Sequence, residues 1–293
     1  MKKIMCMIIG FLLMFLNCFS FASYTFDTVP VWSNDIAIET FNQIQNKVDL
    51  NISSESAILM DEDSGTILYT KNEHEKLRPA SVTKVMTLLL TMEALDRGDI
   101  KHTDKVPCST KARQMGGSQI WLNETEELTV DEMLKAICVV SANDCCVAIA
   151  EFLGGTEEGF VQKMNERAKQ LGMNDTTFKN CHGIDEDGHE TSSYDISLMS
   201  RELLTKYPEV TKYTTIWNDS LRDGKSELVN TNKLVHNYSG CTGLKTGSTS
   251  QALFNLSASA TRDDLSLIAV VMKAPTSAIR FKNASSLLDF GFA

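Results

Sequence analysis

The sequence predicts a mixed α/β fold of the α+β type, with one five-stranded antiparallel sheet flanked by helices and a helical subdomain inserted between its strands. Three observations support this prediction. Strand-like segments occur near both ends of the chain, helical periodicity fills the middle, and 43% hydrophobic with 23% charged residues is the composition of a folded globular protein. At 293 residues, the chain is long enough to bury a full core.

The first strands are predicted to form a hairpin. Residues 57–60 and 66–70 have strand composition, and the polar segment 61–65 between them is typical of a turn. A long apolar segment follows at 82–95, and its hydrophobic residues lie all round a helix and not along one stripe. We therefore expect this helix to be buried in the centre of the domain.

The middle of the chain is predicted to be helical. Thr129 and Glu132 have the spacing of a capping box, which predicts a helix over residues 130–140. Further helices are predicted over residues 143–155, 160–171 and 194–207.

After Cys241 the pattern changes from helix to strand. Three strands are predicted over residues 243–250, 252–260 and 265–272, and a closing helix over residues 277–290. Because the first hairpin comes early and these strands come late, the sheet is expected to combine strands from both ends of the chain.

The first 22 residues have the pattern of a signal peptide. Lys2 and Lys3 precede an apolar run over residues 4–16, and small residues occupy positions 20 and 22, where a signal peptidase reads them. We expect cleavage after Ala22. The alternative is an uncleaved anchor, because residues 4–22 are about long enough to cross a bilayer.

Cleavage at this point sets the predicted domain organisation. A linker is expected over residues 23–53 and one folded domain over residues 54–293. The mature protein would then be secreted, outside the cytoplasmic membrane, in the cell wall or the periplasmic space.

The cysteines and histidines offer other possible chemistries. No CxxC spacing occurs, and Cys145 and Cys146 are neighbours on a predicted helix, so most of the six cysteines after the signal are expected to be buried free thiols. His182 and His189 lie among acidic residues, but we interpret this segment as a polar loop because its spacing matches no familiar metal-ligand pattern. No metal and no cofactor are expected.

Charge restricts the class of partner. The formal net charge of -10 argues against a nucleic-acid binder, because phosphate contacts need clustered lysine and arginine. An anionic substrate would have to be recognised by a few local cations.

Three short motifs occur in order: Ser81-Val82-Thr83-Lys84, Ser141-Ala142-Asn143 and Lys245-Thr246-Gly247. Each alone is weak evidence, since such residues also serve as helix caps, solvated lysines or parts of an edge strand. Together they are specific, because each falls in the context its chemistry requires: a helix start, a helix-to-helix turn and a strand.

The residue types fit nucleophilic catalysis by a serine. A serine hydroxyl is a poor nucleophile until a nearby base removes its proton. The i to i+3 spacing on a helix puts Ser81 and Lys84 on one face. A lysine acts as a base only if its pKa falls, which burial and a second cation, Lys245, would cause. A serine in the first helical turn also lies at the positive end of the helix dipole, which favours an oxyanion there.

The motifs resemble those of the low-molecular-mass penicillin-binding proteins that are serine D-alanyl-D-alanine carboxypeptidases. The resemblance covers residues 54–292 and implies a β-lactamase/transpeptidase-like fold. Further matching stretches are Arg78-Pro79-Ala80 before Ser81, Met115-Gly116-Gly117-Ser118-Gln119, Asp144, His182-Gly183 and Gly243-Leu244.

The resemblance implies a role for each catalytic residue. Ser81 attacks the carbonyl between the two terminal D-alanines of a peptidoglycan stem peptide and is acylated, with Lys84 as its base. Ser141 relays a proton to the leaving D-alanine, Asn143 holds the substrate amide and Lys84, and Lys245 supports the electrostatic field. β-Lactam antibiotics would acylate the same serine.

The resemblance also implies the substrate-binding residues. Thr246 helps to bind the terminal carboxylate, and the backbone N–H groups of Ser81 and Ser248, next to Gly247, form the oxyanion hole. Ser248 stands where the family often has a larger residue, so only its backbone is given a role. Arg280 matches an arginine that attracts the carboxylate, with a surface salt bridge as the alternative.

Two other functions are compatible with the motifs. A serine β-lactamase shares them, but the commonest class needs a second carboxylate to activate water, and the candidate, Glu166, falls in an amphipathic helix. A catalytically inactive wall-binding module would not need an activated serine. Membrane attachment is left open, because many relatives continue beyond the position of Phe292 into a small β-rich domain and an amphipathic anchor.

Overall fold

One five-stranded antiparallel sheet organises the computed structural model, which describes residues 50–293. In chain order the described strands are β1 (Ser56–Asp61), β2 (Ile67–Lys71), β3 (Lys105–Pro107), β4 (Glu127–Thr129), β5 (Asn218–Leu221), β6 (Ser226–Val229), β7 (Cys241–Thr249), β8 (Leu253–Arg262) and β9 (Leu265–Ala274). The large sheet has the spatial order β2-β1-β9-β8-β7. The early hairpin therefore joins the late strands through β1 and β9, and the predicted sheet is confirmed.

The helices surround this sheet. In chain order they are α1 (Lys84–Asp96), α2 (Thr110–Arg113), α3 (Val130–Val139), α4 (Asn143–Gly154), α5 (Glu157–Gln170), α6 (Ser193–Lys206), α7 (Thr211–Thr214), α8 (Leu234–Asn237) and α9 (Ser277–Phe292). The predicted capping box is present at the start of α3, where Glu132 N donates to Thr129 Oγ1 at 3.2 Å and Thr129 N donates to Glu132 Oε2 at 2.7 Å.

The sheet is covered on both faces. Along β9, Ile268 and Val270 belong to the large core that also contains α1 and α3 to α6. Leu267 and Ala269 belong to a smaller core that includes the inner face of α9. Consecutive residues of a strand point to opposite faces, so a strand covered on both sides is buried along most of its length. This explains the unbroken apolar runs 57–60 of β1 and 267–272 of β9, whereas β8 also buries the polar Asn255, Ser257 and Ser259.

Helix α1 lies in the centre of the large core, as its apolar surface predicted. Val85, Met86 and Leu89 are fully buried. The helix begins later than predicted, because residues Ala80–Thr83 form a 3₁₀ turn and the α-helix starts at Lys84. Residues i and i+3 of a 3₁₀ helix are eclipsed, so this turn still points positions 81 and 84 in the same direction.

Two small hairpins flank the segment 130–207 that the sequence predicted to be helical. β3 pairs with β4, and β5 pairs with β6, in strands of three or four residues. Strands this short contain too few alternations to be distinguished from loops by periodicity. The sequence analysis therefore missed both hairpins, whereas the four helices predicted between residues 130 and 207 are present.

The six cysteines within residues 50–293 are free thiols, as predicted for most of them. Five are buried and Cys241 is half-buried. Cys145 and Cys146 both lie within the first turn of α4 and are fully buried. None of the helices within residues 50–293 is long and apolar enough to cross a membrane.

The predicted signal peptide at 1–22 and most of the predicted linker at 23–53 lie outside the described residues. The described chain already packs against the domain at Ile52, which is 6% exposed. The carbonyl of Ile52 accepts a hydrogen bond from Lys71 Nζ at 2.6 Å.

Asn255 joins the sheet to the segment that leads into α1. It is fully buried on β8, where its Nδ2 donates to Arg78 O at 2.8 Å and its Oδ1 accepts from Lys273 N at 2.7 Å. The register between β8 and β9 shifts at this position. The amide side chain therefore satisfies backbone groups that regular strand pairing leaves free.

We predict that Asn255→Ala lowers the free energy of unfolding by about 3 kcal/mol, because it leaves a buried carbonyl and a buried N–H without their partner. Urea unfolding would measure this change. Asn218→Ala is the matched control, because Asn218 is exposed and its side chain forms no hydrogen bond with the described residues. Equal effects of the two substitutions would contradict the prediction.

Candidate active site

The three sequence motifs meet around the side chain of Lys84. Ser81 lies in the 3₁₀ turn, Lys84 begins α1 and Asn143 begins α4. Lys84 Nζ lies 2.9 Å from Ser81 Oγ and 2.7 Å from Asn143 Oδ1. The third motif, on β7, contributes the buried Lys245, whose pKa is lowered by burial and by the charge of Lys84. The structure therefore brings together residues that are up to 164 positions apart (245 − 81).

Lys84 has the surroundings of a base. Its side chain is fully buried, and burial lowers the pKa of its ammonium against the opposing effects of Cys146, Cys181 and Asp144. A third contact joins Nζ to His182 O at 2.6 Å. When the amine is neutral, its two N–H groups can donate to Asn143 and His182 while its lone pair faces Ser81 Oγ. The site is thus arranged for Lys84 to accept the serine proton.

Lys245 is a second buried cation. The sequence analysis predicted that it helps to lower the pKa of Lys84, but its charge is not among the main causes of that shift. Its pKa is lowered to about 7 by burial first and by the charge of Lys84 second. For Lys84 itself, burial is the main cause of the lowered pKa. Lys245 is 1% exposed, and its Nζ donates to Thr246 O at 3.0 Å.

Ser141 presents a hydroxyl without a partner. It is 3% exposed, and among residues 50–293 its Oγ has no hydrogen-bond partner. The backbone of Ser141 has a φ of 65°, which is unusual for a residue other than glycine. A buried polar atom left unpaired costs stability, and at a site of this kind it is free to bond to a ligand.

Strand β7 approaches the serine closely at Gly247. A Cβ at this position would lie 2.9 Å from Ser81 N and 2.8 Å from Pro79 O, so only glycine fits without movement of the backbone. This contact brings the exposed Ser248 next to the turn that carries Ser81. On the same strand, Thr246 Oγ1 lies 2.7 Å from Thr231 Oγ1.

Arg280 lies behind β7 and not on the protein surface. It is 6% exposed, and its Nη1 lies 3.2 Å from both Gly247 O and Asn255 O. It forms no ion pair with a described residue, so the surface salt bridge considered for it is wrong. Its role in binding a carboxylate stays a prediction.

The loop after Met115 fixes the orientation of Asn143. Its Nδ2 donates to Gly116 O at 2.7 Å, and its backbone N donates to Ser118 O at 2.7 Å. Because Nδ2 is held by this loop, Oδ1 is left to face Lys84. The Gly116-Gly117-Ser118 stretch therefore acts through Asn143.

The sequence prediction missed the role of the His182 carbonyl. A carbonyl group carries no sequence signal, because every residue has one. The next residue, Gly183, has a φ of 90°, and a Cβ there would lie 1.9 Å from Ala80 O. The close packing of Gly183 on the 3₁₀ turn places His182 O against Lys84.

Glu157 holds this segment in place and was also missed. It begins α5, is 6% exposed, and its Oε1 accepts hydrogen bonds from Cys181 N at 3.2 Å and Cys181 Sγ at 3.3 Å.

His182 Nδ1 accepts a hydrogen bond from Ile184 N, so the ring proton is on Nε2, which faces Glu157 Oε1 at 3.5 Å. Burial lowers the pKa of His182 to about 4, so the ring is neutral at pH 7.

His189 serves the packing of the same loop. Its Nδ1 accepts from Lys179 N at 3.0 Å, and its Nε2 lies 2.8 Å from Thr83 Oγ1.

Within residues 50–293, no group of three or more histidine, cysteine, aspartate or glutamate side chains is placed to hold a metal ion.

Glu166 lies outside the network of contacts that joins the three motifs. It is exposed on α5, and its Oε1 accepts a hydrogen bond from Gln162 Nε2 at 2.8 Å. It has no hydrogen bond or ion pair with a residue of the three motifs. The carboxylate that the β-lactamase alternative would require is therefore not supplied by Glu166.

The chain is similar to known proteins over most of its length. A family model described as D-alanyl-D-alanine carboxypeptidase matches residues 42–276. The chain is 50% identical over 248 residues to D-alanyl-D-alanine carboxypeptidase DacF of Bacillus subtilis. This match covers 84% of the chain and 64% of the relative, so the chain spans less than two thirds of that relative's length.

Solved structures share the fold. Penicillin binding protein 5 from Haemophilus influenzae matches with a TM-score of 0.79 and 34% identity, over 82% of this chain and 71% of that one. Penicillin-Binding Protein D2 from Listeria monocytogenes in the ampicillin-bound form matches with a TM-score of 0.77 and 29% identity, over 84% of this chain and 100% of that one. These similarities confirm the predicted transpeptidase-like fold.

We predict that Glu157→Gln destabilises the protein by about 2 kcal/mol at pH 7, because a buried charge-assisted network is lost. Lys111 Nζ, 2.9 Å from Glu157 Oε2, helps to hold the pKa of this carboxyl below 4.5, against burial, which raises it. The stabilisation is therefore present above about pH 4.5 and is lost as the pH falls through the lower folded pKa.

Thermal unfolding of both proteins from pH 7 to pH 3 would measure this dependence. Glu158→Gln is the matched control, because Glu158 also lies 2.9 Å from Lys111 Nζ but its side chain is 77% exposed. We expect no measurable change for the control. A loss of stability in Glu157→Gln that does not shrink at low pH would contradict the assignment.

Proposed function

This chain belongs to the D-alanyl-D-alanine carboxypeptidase family, and we propose that it is a serine carboxypeptidase that removes the terminal D-alanine of peptidoglycan stem peptides. The observation that carries the proposal is the contact of 2.9 Å between Ser81 Oγ and the buried Lys84 Nζ. A lysine with a lowered pKa at this distance can activate the serine. A surface that only binds cell wall has no need of this pair.

The first half of the reaction acylates Ser81. Lys84 takes the proton of the hydroxyl while Oγ attacks the carbonyl carbon of the penultimate D-alanine, and the backbone N–H groups of Ser81 and Ser248 stabilise the oxyanion. The peptide C–N bond then breaks. Ser141, whose hydroxyl has no partner among the described residues, passes the proton that Lys84 took from Ser81 on to the leaving amine. Lys84 is neutral again when free D-alanine departs.

Recognition of the substrate falls to the remaining motif residues. Asn143 donates to the substrate amide and orients Lys84, while Lys245 supplies positive potential near the terminal carboxylate. Thr246 binds that carboxylate directly. Arg280 adds positive charge from behind β7, which is consistent with its burial against Gly247 O.

The second half hydrolyses the ester. Water enters the position that D-alanine has left and attacks the acyl carbon, which restores the Ser81 hydroxyl. A β-lactam ring opens on the same serine but leaves no departing fragment, so its remnant keeps water away. No carboxylate of the described residues contacts Ser81 or Lys84 directly, which favours slow hydrolysis of the penicilloyl ester and a carboxypeptidase over a β-lactamase.

The site of action would be outside the cytoplasmic membrane. We base this on the signal-peptide pattern over residues 1–22 and on the substrate, which is a component of the wall. In the same proposal, residues 23–53 lead into a catalytic domain over residues 54–293.

The N-terminal sequence of the exported protein should then begin at Ser23. An intact N-terminus in the membrane fraction would support the uncleaved anchor instead.

We predict that benzylpenicillin adds one covalent equivalent, located on the peptide that contains Ser81. Mass spectrometry of the intact protein and of its proteolytic fragments would identify it. Ser81→Ala should lose the label and retain the fold, since removal of the nucleophile of a catalytic unit costs on the order of 10⁶ in rate. An adduct on another residue would overturn the assignment of the nucleophile.

The wild-type protein should also release D-alanine from a diacetyl-Lys-D-Ala-D-Ala peptide while its penicilloyl adduct lasts for minutes. Lys84→Ala should slow both acylations by about 10²- to 10⁴-fold, because the serine loses its base. Rapid, repeated hydrolysis of penicillin without release of D-alanine would sink the carboxypeptidase assignment and favour the β-lactamase.

The rate of acylation should rise with pH. Only the neutral amine of Lys84 can accept the serine proton, and burial lowers the pKa of that amine from 10.5. The second-order rate of penicillin acylation should therefore increase with pH and reach half its maximum below pH 10.5. Stopped-flow measurement would give the profile, and a midpoint at or above 10.5 would exclude a buried lysine base.

A further inference from the structure

The segment 183–188 joins the two parts of the chain that flank the nucleophile. At its start, Gly183 packs on the 3₁₀ turn, where a Cβ would lie 2.9 Å from Ser81 N. Two residues later, Asp185 Oδ1 accepts a hydrogen bond from Thr249 Oγ1 at 3.0 Å. Thr249 is the last residue of β7. One short segment therefore contacts both the turn that carries Ser81 and the end of the strand beside that turn.

The alternation of side chains along β7 explains why Thr249 reaches this segment. A Cβ at Gly247 would also lie 2.9 Å from Ser81 N, so position 247 faces the 3₁₀ turn. Side chains two residues apart on a strand point to the same face of the sheet. Thr249 therefore points to the side of β7 on which the turn lies, and there it meets Asp185.

A second contact ties the segment 183–188 to the chain just before the nucleophile. Arg78 Nη1 donates to Glu186 O at 2.9 Å, and Arg78 O accepts from Asn255 Nδ2 of β8 at 2.8 Å. Strand β8 pairs in turn with β7 along its whole length. These contacts form a closed ring around the turn. Within residues 50–293, the bond between Asp185 and Thr249 is the hydrogen bond that joins the segment to β7 in this ring.

Ser248 lies between the two residues of β7 that are held in this way. Gly247 before it packs on the turn, and Thr249 after it is bonded to Asp185, while Ser248 itself is exposed. In the proposed function, the N–H groups of Ser81 and Ser248 bind one developing oxyanion. Two donors serve one oxygen atom only if both are placed before the reaction begins. The position of Ser248 N therefore depends on what holds the end of β7.

We propose that Asp185 is a positioning residue for the oxyanion hole, and that its hydrogen bond to Thr249 fixes the end of β7 so that the N–H of Ser248 acts together with that of Ser81. Asp185 does not touch the substrate. Its bond acts on the tetrahedral stage of acylation, when negative charge develops on the carbonyl oxygen, and not on the binding of the intact substrate. It therefore contributes to the rate of acylation and not to affinity.

This inference rests on the proposed carboxypeptidase function, and its test separates binding from acylation. Stopped-flow kinetics with benzylpenicillin give the dissociation constant of the non-covalent complex and the maximal rate constant of acylation. In Asp185→Ala the rate constant should fall about tenfold and the dissociation constant should not change, since removal of a whole oxyanion donor costs on the order of 10² to 10³. Asp185→Asn should keep the wild-type rate, because its amide oxygen still accepts the Thr249 hydroxyl.

Phenylboronic acid reports on the oxyanion hole directly, because its boron accepts Ser81 Oγ and becomes tetrahedral, like the carbon of the intermediate. Asp185→Ala should bind it about tenfold more weakly than the wild type. Thr249→Val should lose both rate and boronate affinity, and Thr249→Ser should retain both. Thr249 Oγ1 also accepts a hydrogen bond from Ala252 N at 2.9 Å, so the double variant isolates the shared bond. Asp185→Ala combined with Thr249→Val should lose no more than Thr249→Val alone.

Asp187→Ala is the matched control and should behave as the wild type, because Asp187 lies on the same segment, is fully exposed and pairs with Arg78 and not with β7. An unchanged acylation rate in Asp185→Ala would overturn the positioning role. So would additive losses in the double variant, or a loss in Asp185→Asn equal to that in Asp185→Ala. Failure of the wild type itself to form a penicilloyl adduct would instead overturn the proposed function.

Discussion

A lysine side chain buried in the centre of the domain is the constraint on which the rest of the structure depends. An ammonium without water is costly unless its donors are all paired or its proton is given up. Around Lys84 the fold supplies three oxygen atoms, from Ser81, Asn143 and the backbone of His182, within 2.9 Å. The same burial that makes the charge costly lowers the pKa and makes the amine useful as a base.

Each of these three contacts is held by a different part of the fold. The 3₁₀ turn directs Ser81 along α1, and the loop at Gly116 orients the amide of Asn143. The His182 carbonyl comes from a loop that packs on the turn through Gly183 and is anchored by Glu157. The geometry therefore depends on backbone packing from three directions, and a small movement of any one changes the surroundings of the amine.

Adjacent residues at the start of α4 connect the centre of the site to its rim. Asn143 faces inward to Lys84, while Asp144 binds the two N–H groups that flank Trp121. One helix start thus fixes both the group that contacts the base and the backbone on either side of the exposed Trp121. Trp121 has a φ of 56° and is 76% exposed, so its backbone conformation is held by the bonds to Asp144 and not by packing of the indole.

The sequence by itself determined the sheet, the long helices and the motif residues, because apolar periodicity and short-range spacing express these features directly. The sequence predicted that Ser81 and Lys84 lie on one face of an α-helix. In the structure the two side chains are in contact, but Ser81 lies in a 3₁₀ turn before the α-helix. Only the tertiary structure decided that burial is the main reason for the lowered pKa of Lys84, that Arg280 lies behind β7, and that a backbone carbonyl completes the site. These features depend on which distant segments pack together, and such contacts leave no periodic signal along the chain.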